Sequence, residues 1–139
     1  MGAKPSLIAV SVVFVMVVFI SSDLFCQDYI SLPEIYIKDA VICRDLKNLE
    51  PVEPGNIFQN NLKKIFCFSQ IMGAKEDIQI KHNWYFGDKL VASVPLHVGS
   101  IDWRTFSSKR ILPQYTGEWR VEIISQDGAL LKKISFVLE

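Results

Sequence analysis

The densest group of side chains that could do chemistry lies at residues 103–109, which read Trp-Arg-Thr-Phe-Ser-Ser-Lys. A guanidinium presents a planar fork of donors that fits a carboxylate or phosphate, and a neighbouring tryptophan could stack on a sugar ring. The alternative is an arginine that pairs with a carboxylate of its own domain, with serines serving a turn. The first interpretation predicts a ligand- or partner-binding site with six candidates: Trp103, Arg104, Thr105, Ser107, Ser108 and Lys109.

His82 is a further candidate, because it lies between Ile80 and Trp84 on one side of an alternating segment. A histidine there could bind a ligand or sense pH near neutrality. The alternative is a buried, hydrogen-bonded core histidine. The other histidine, His97, falls on the opposite side of its own segment, so the two do not predict a zinc site.

Motifs for catalysis do not stand out in the sequence. It has no Gly-x-Ser-x-Gly, no His-Glu-x-x-His and no phosphate-binding loop. We therefore predict a protein that is not an enzyme and uses no cofactor, with a hydrolase of unrecognised site as the distant alternative. Basic and acidic residues balance at 15 each, which gives no electrostatic reason to expect nucleic acid as a partner.

The N-terminus has the pattern of a targeting segment. Lys4 precedes an uncharged apolar run at residues 7–22, and Asp23 follows it. We assign residues 1–26 to a signal peptide or membrane anchor, 27–34 to a tether and 35–139 to one domain. Cleavage after Cys26 or Ser22, a retained single-pass anchor and a lipoprotein on Cys26 all stay open. The expected location is periplasmic or extracellular, with membrane contact only through an uncleaved N-terminal segment.

Two cysteines, Cys43 and Cys67, follow the targeting segment. An even pair in an exported domain predicts a disulfide between them, which would close a loop of about two dozen residues. The alternative is two buried free thiols. No Cys-x-x-Cys pair occurs and neither histidine lies near a cysteine in sequence, so no metal site is expected.

Alternating apolar residues predict that the domain is all-β. Strands are indicated at 35–43, 64–70, 78–86, 90–98, 103–108 and 118–124, with a last strand through Ile134 and Phe136, and residues 48–61 are predicted to be a loop rich in proline and asparagine. About seven short strands with turn signals between them favour a single antiparallel β-sandwich of immunoglobulin-like type over a barrel.

The two hairpins have registers that the apolar faces determine. In the first, Trp84 should lie opposite Ala92 and Ile80 opposite Leu96, which requires a three-residue loop after Phe86 or an equivalent bulge. In the last hairpin, the turn signal Asp-Gly at 127–128 predicts two apolar cross-strand pairs, Trp119–Phe136 and Val121–Ile134.

The order of the motifs along residues 40–138 resembles the bacterial DUF2914 family, a domain of unknown function. The motifs that carry the resemblance are Ile-Cys-Arg-Asp at 42–45, Phe-Cys-Phe-Ser at 66–69, His-Asn-Trp-Tyr at 82–85, Trp-Arg-Thr-Phe-Ser-Ser-Lys at 103–109 and Gly-Glu-Trp-Arg-Val at 117–121. The resemblance implies one domain, often found in exported or membrane-anchored proteins. It assigns no catalytic residue and no substrate.

These features together predict an exported, non-enzymatic module of the cell envelope that binds a protein partner or assembles on a larger complex. The alternative is a domain that binds carbohydrate or another envelope polymer through Trp103 and Arg104. A solvent-exposed Trp103 in a groove would favour the second function. A flat apolar patch or a bare sheet edge would favour the first.

Overall fold

The computed structural model describes residues 2–4 and 35–139. The chain divides into two units, Met1–Ile30 and Ser31–Glu139. The predicted tether and all of the predicted targeting segment except residues 2–4 lie outside the described residues. Within the described ranges, no helix has the length and apolar character that crossing a bilayer requires.

Residues 35–139 form β-strands joined by short turns and loops. Residues of alternating polarity form these strands because period-two spacing places one side of each strand in a core and the other in solvent. The nine strands are β1 (Tyr36–Lys47), β2 (Glu50–Gly55), β3 (Ile57–Phe58), β4 (Lys64–Met72), β5 (Ile78–Phe86), β6 (Lys89–Val98), β7 (Asp102–Arg110), β8 (Gly117–Ile124) and β9 (Leu130–Leu138).

The strands form two sheets that pack face to face, so the predicted all-β sandwich is confirmed. The four-stranded sheet has the order β2-β1-β4-β7, and the five-stranded sheet has the order β3-β9-β8-β5-β6. All neighbours are antiparallel except β3 and β9, which run parallel. Each sheet contributes one apolar face to the interior, which is the usual arrangement of a β-sandwich core.

The core consists of two groups of buried side chains. One group surrounds Trp84, Trp119 and Phe136, whose rings contact one another edge-on or stacked at centroid distances of 5.9–6.2 Å. The other group surrounds Ile80 and lies nearer the other end of β5. Aromatic rings of this size bury enough apolar area to contribute much of the stability of a small domain.

Both hairpin registers are confirmed for the predicted pairs named above, although the loop after Phe86 has two residues and Phe86 lies opposite Lys89. Trp84 lies opposite Ala92 and Ile80 opposite Leu96, and a bulge between Trp84 and Tyr85 supplies the extra residue that the apolar faces require. In the last hairpin, Trp119 lies opposite Phe136 and Val121 opposite Ile134.

The predicted loop at residues 48–61 is wrong, because β2 and β3 lie within it. β1 turns into β2 through Asn48 and Leu49, which both have positive φ, the geometry of a tight two-residue hairpin. Pro51 and Pro54 are tolerated because β2 is an edge strand, where a missing N–H does not break a ladder on both sides. The count therefore rises from about seven strands to nine.

The predicted disulfide is also corrected, because Cys43 and Cys67 are free thiols. In the ladder between β1 and β4, Cys67 lies opposite Ile42, and Cys43 lies opposite Phe66. Directly opposed residues share a face of the sheet and successive residues alternate, so the two thiols point to opposite faces. A bond between them would require a shift of register. The alternative of two buried thiols is the one that the structure has.

We expect both thiols to react only when the domain unfolds. Burial raises the pKa of both the Cys43 and the Cys67 thiol, which keeps them protonated and unreactive. Alkylation followed by peptide mass spectrometry should label both residues in denaturant and neither in buffer, and the thermal midpoint should not change with dithiothreitol. A Cys43–Cys67 peptide recovered from non-reduced protein would contradict the register of β1 on β4.

Candidate functional site

The predicted site on residues 103–109 is divided by the alternation of β7. Trp103, Thr105 and Ser107 lie opposite Ile71, Ser69 and Cys67 of β4 on the face that meets the second sheet. Arg104 and Ser108 lie on the outer face of the sheet, where Phe68 and Gln70 are nonetheless buried. The six candidates therefore do not form one site, because neighbours in an extended strand project in opposite directions, although Trp103 and Arg104 both line one surface pocket with Leu49 and Asp102.

Ser107 belongs to a buried hydrogen-bond network that joins the two sheets. Its Oγ lies 2.7 Å from Nδ1 of His82 and accepts a bond of 3.0 Å from Nε1 of Trp84. Ser69 Oγ lies 2.8 Å from Nε2 of the same histidine. Ser69 and Ser107 belong to the four-stranded sheet, whereas His82 and Trp84 belong to β5 of the other sheet. We call Ser69, His82, Trp84 and Ser107 the inter-sheet network.

The inter-sheet network is structural, because its polar atoms are out of reach of a ligand. His82, Ser69 and Trp84 have no exposed surface, and Ser107 is 3% exposed. Burial lowers the pKa of His82 to about 4, so the ring is neutral at pH 7 and has one donor and one acceptor nitrogen. Each ring nitrogen faces one serine hydroxyl, which satisfies both. The alternative of a core histidine describes His82 correctly.

Trp103 does not stand free in solvent, although part of its side chain lines a surface pocket. It is half-buried against the core group around Ile80, and the His97 ring contacts it edge-on at a centroid distance of 5.6 Å. A Cβ at Gly99 would lie 2.8 Å from the His97 ring and 3.1 Å from the Trp103 ring. Gly99 thus leaves the space in which these two rings meet.

The cationic candidates are engaged within the domain. Arg104 forms an ion pair with Glu50 of β2, and its guanidinium lies 6.0 Å from the centre of the Phe68 ring. The Lys109 ammonium lies 5.4 Å from the centre of the Tyr115 ring. The alternative interpretation, an arginine paired with a carboxylate of its own domain, is therefore the observed one for Arg104.

An apolar row crosses the outer face of the four-stranded sheet, and it was not among the candidate sites predicted from sequence. Val41 of β1, Phe68 of β4 and Phe106 of β7 lie side by side in directly opposed positions. We call these three residues the apolar row. Phe68 is buried, but Phe106 at the sheet edge is 41% exposed and contacts the Phe66 ring at a centroid distance of 6.0 Å. Alternation along the predicted strand 103–108 was the signal that could have revealed it.

The free edge of β7 adjoins the apolar row. All nine residues of β7 pair with β4 in one unbroken register, and no described strand pairs with its other side. Such an edge presents unpaired N–H and C=O groups that another strand can bond. The geometry provides a place for an extended polypeptide, with an aromatic side chain beside it.

A pocket of 540 Å³ lies on the outer face of the five-stranded sheet, and Arg120 is one of the residues that line it. Its guanidinium stacks on Tyr85 at 4.0 Å and donates a bond of 2.8 Å to the Gly87 carbonyl. Glu122 and Asp88 lie within 3.8 Å of it, so its charge is compensated inside the domain. Among the described residues, no group of three or more metal-ligating side chains occurs.

A known family matches the C-terminal part of the domain, which contains β7. The family model described as "Protein of unknown function (DUF2914)" matches residues 77–138. The resemblance to DUF2914 is confirmed over this range, whereas the motifs at 42–45 and 66–69 precede it. The matched range includes β5 to β9, and with them His82, Trp84, Ser107 and Phe106. Ser69 and the strands β1 to β4 precede it.

Further comparisons add little to the DUF2914 match. A search of curated proteins finds no match. Among solved structures, the crystal structure of an endonuclease/exonuclease/phosphatase from Beutenbergia cavernae is similar at a TM-score of 0.34 and 11% identity. The alignment covers 76% of this chain and 36% of that chain. A similarity this weak carries no argument about fold or activity.

Stability should fall with acidity because of His82. Between pH 6.5 and about 4 the unfolded chain binds a proton on this residue and the folded chain does not, so the stabilisation is complete above pH 6.5 and declines below it. We expect His82 to account for a loss of about 3 kcal/mol in the free energy of unfolding between pH 7 and pH 4.

Urea unfolding at both pH values measures this loss. His82→Gln should reduce the pH dependence by that amount. Equal pH dependence in the wild type and the His82→Gln variant would show that His82 is not held neutral in the interior.

Proposed function

We propose that this protein is an exported, non-enzymatic β-sandwich module of the cell envelope, and that it binds a protein partner through β7. The observation that carries the proposal is the open edge of β7 beside the exposed Phe106. Strand addition at such an edge gives affinity through main-chain hydrogen bonds, and a neighbouring side-chain surface gives specificity.

The other edge strands of the described domain carry features that block strand addition, which sets β7 apart. β2 contains Pro51, Pro54 and the positive φ of Glu53. β3 has only two residues, and β6 contains Pro95, which has no N–H. Proline, very short strands and irregular backbone are the devices by which natural sheets protect their edges. β7 has none of these three features, which supports a role for its edge in binding.

The alternative of carbohydrate binding has weaker support. It required Trp103 to stand exposed in a groove, and the side chain is half-buried against His97 and the core, so that only part of it lines the pocket it shares with Arg104. Arg104, the second residue of that hypothesis, projects from the opposite face of β7 and is paired with Glu50. A bare sheet edge beside an exposed aromatic ring favours a protein partner.

Export is the part of the proposal that rests on the sequence alone. Its support is the uncharged run at residues 7–22 with Lys4 before it and Asp23 after it. An envelope location also agrees with the resemblance to DUF2914, whose members often occur in exported or membrane-anchored proteins.

In-cell photocrosslinking of the full chain tests the proposal. A photoreactive phenylalanine analogue at Phe106 keeps an aromatic ring at the edge, and light should convert the chain to protein adducts in cells of the source organism. The matched control carries the analogue at Leu90, which is 48% exposed on β6 of the other sheet. Protease added to spheroplasts should degrade the adducts, because the domain lies outside the inner membrane.

Two results would count against the proposed function. Equal adduct yields from positions 106 and 90 would show that the β7 edge is not a protein-binding site. Adducts that resist protease until the spheroplasts are lysed would show that the domain is not exported.

A further inference from the structure

We infer that the partner strand at β7 is β7 of a second copy of this chain, paired antiparallel with Phe106 at the two-fold axis. The inference rests on the proposed protein-binding role of β7 and names its occupant. The result would be a continuous eight-stranded sheet built from two four-stranded sheets. A two-fold interface of this kind uses the same surface on both copies.

The backbone groups of β7 point in the required direction. Hydrogen bonds from Gly73 N to Ile101 O and from Ile111 N to Lys63 O mark both ends of the ladder between β4 and β7. Hydrogen-bonded pairs alternate with non-bonded pairs in an antiparallel ladder, so the odd-numbered residues of β7 bond to β4. The N–H and C=O groups of the even-numbered residues therefore face the open edge. They are Asp102, Arg104, Phe106, Ser108 and Arg110.

A two-fold axis at Phe106 pairs these even-numbered residues with one another. Phe106 would oppose the partner's Phe106, Arg104 would oppose the partner's Ser108, and Asp102 would oppose the partner's Arg110. Each of these pairs brings together two residues whose backbone groups face the edge. All nine residues of β7 take part, with no unpaired group inside the ladder.

The side chains are complementary in this register. Asp102 and the partner's Arg110 form an opposite-charge pair at each end of the ladder. On the face toward the sandwich, Trp103 lies opposite the partner's Lys109, which places no like charges together. In this register no cation of β7 has a like charge directly opposite.

The apolar row supplies the centre of the interface. Val41, Phe68 and Phe106 lie in line across three strands, and the row stops at the open edge, where Phe106 is 41% exposed. A second copy continues the row through its own Phe106, Phe68 and Val41. The exposed ring would then contact its symmetry mate, and apolar area would be removed from water at the centre of the pair.

Neighbouring registers fit less well. With Ser107 at the axis, Arg104 opposes the partner's Arg110, and like charges directly opposite are destabilising. With Thr105 at the axis, Phe106 opposes the partner's Arg104, and Arg110 lies opposite Ser100, outside β7. Only the axis at Phe106 keeps both the charge pairs and the apolar contact.

Cysteine crosslinking of the full chain in cells tests this register. Phe106→Cys places two thiols across the axis, whereas Ser108→Cys places them about 13 Å apart along the strand direction. Treatment with a short bifunctional thiol reagent should give at least about tenfold more covalent dimer from Phe106→Cys than from Ser108→Cys. Both variants retain the native cysteines, so any background from those is the same.

A second test exchanges the charges of Asp102 and Arg110 in the Phe106→Cys variant. Arg110→Asp and Asp102→Lys should each lower the dimer yield about tenfold, because each places like charges opposite one another twice, and the double variant should restore it. Arg110 lies opposite Lys64 within its own sheet, so Arg110→Asp does not weaken the monomer. Asp102 accepts a hydrogen bond from Gln70, and Asp102→Lys removes this bond. The double variant lacks the same bond, so a restored dimer yield would report on the interface alone.

The outcomes separate this inference from the proposed function. Equal dimer yields from Phe106→Cys and Ser108→Cys, or a double variant no better than the single ones, would overturn self-pairing at β7. If the photoreactive analogue at Phe106 then gives adducts to a different protein, binding at β7 stands and only the second copy is wrong. If it gives none above the Leu90 control, both the inference and the binding role fail.

Discussion

The alignment of the two sheets depends on the hydroxyl of Ser107. It meets His82 and Trp84 from the opposite sheet, and through His82 it connects to Ser69 on the strand beside it. Polar groups buried this deeply must all be paired, because an unpaired one costs about 1–3 kcal/mol. The network therefore fixes how β5 lies over β4 and β7. A sandwich held by aliphatic contacts alone could slide, and this one cannot without leaving polar atoms unpaired.

Alternate residues of β7 have different roles: one set stabilises the fold and the other faces outward. Its odd-numbered residues bond to β4 and direct Trp103 and Ser107 into the sandwich. Its even-numbered residues direct their backbone to the open edge and place Phe106 on the outer face. The inter-sheet network anchors β7 through Ser107, and an edge that is already ordered loses less conformational entropy when it binds another strand. β7 therefore both stabilises the fold and carries the proposed binding edge.

Sequence patterns predicted the fold better than the site, for a physical reason. Alternation determined the hairpin registers because slipping Trp84 or Trp119 by one residue would move them into water. The same rule, applied to residues 103–109, would have separated Ser107 from Arg104. What no local pattern contains is pairing across sheets: the contact of His82 with Ser69 and Ser107 needs the strand order. The strand β2 was missed because its prolines are compatible only with an edge, which sequence does not reveal.

A double-mutant cycle on Ser107 and Trp84 tests most directly whether the inter-sheet network joins the sheets. Ser107→Ala and Trp84→Phe are made singly and together, and free energies of unfolding are measured in urea. We expect Ser107→Ala to cost about 1 kcal/mol less in the Trp84→Phe background, because phenylalanine has no N–H to leave unpaired. Additive costs would contradict the account, since they would mean that the indole N–H and the Ser107 hydroxyl do not stabilise one another.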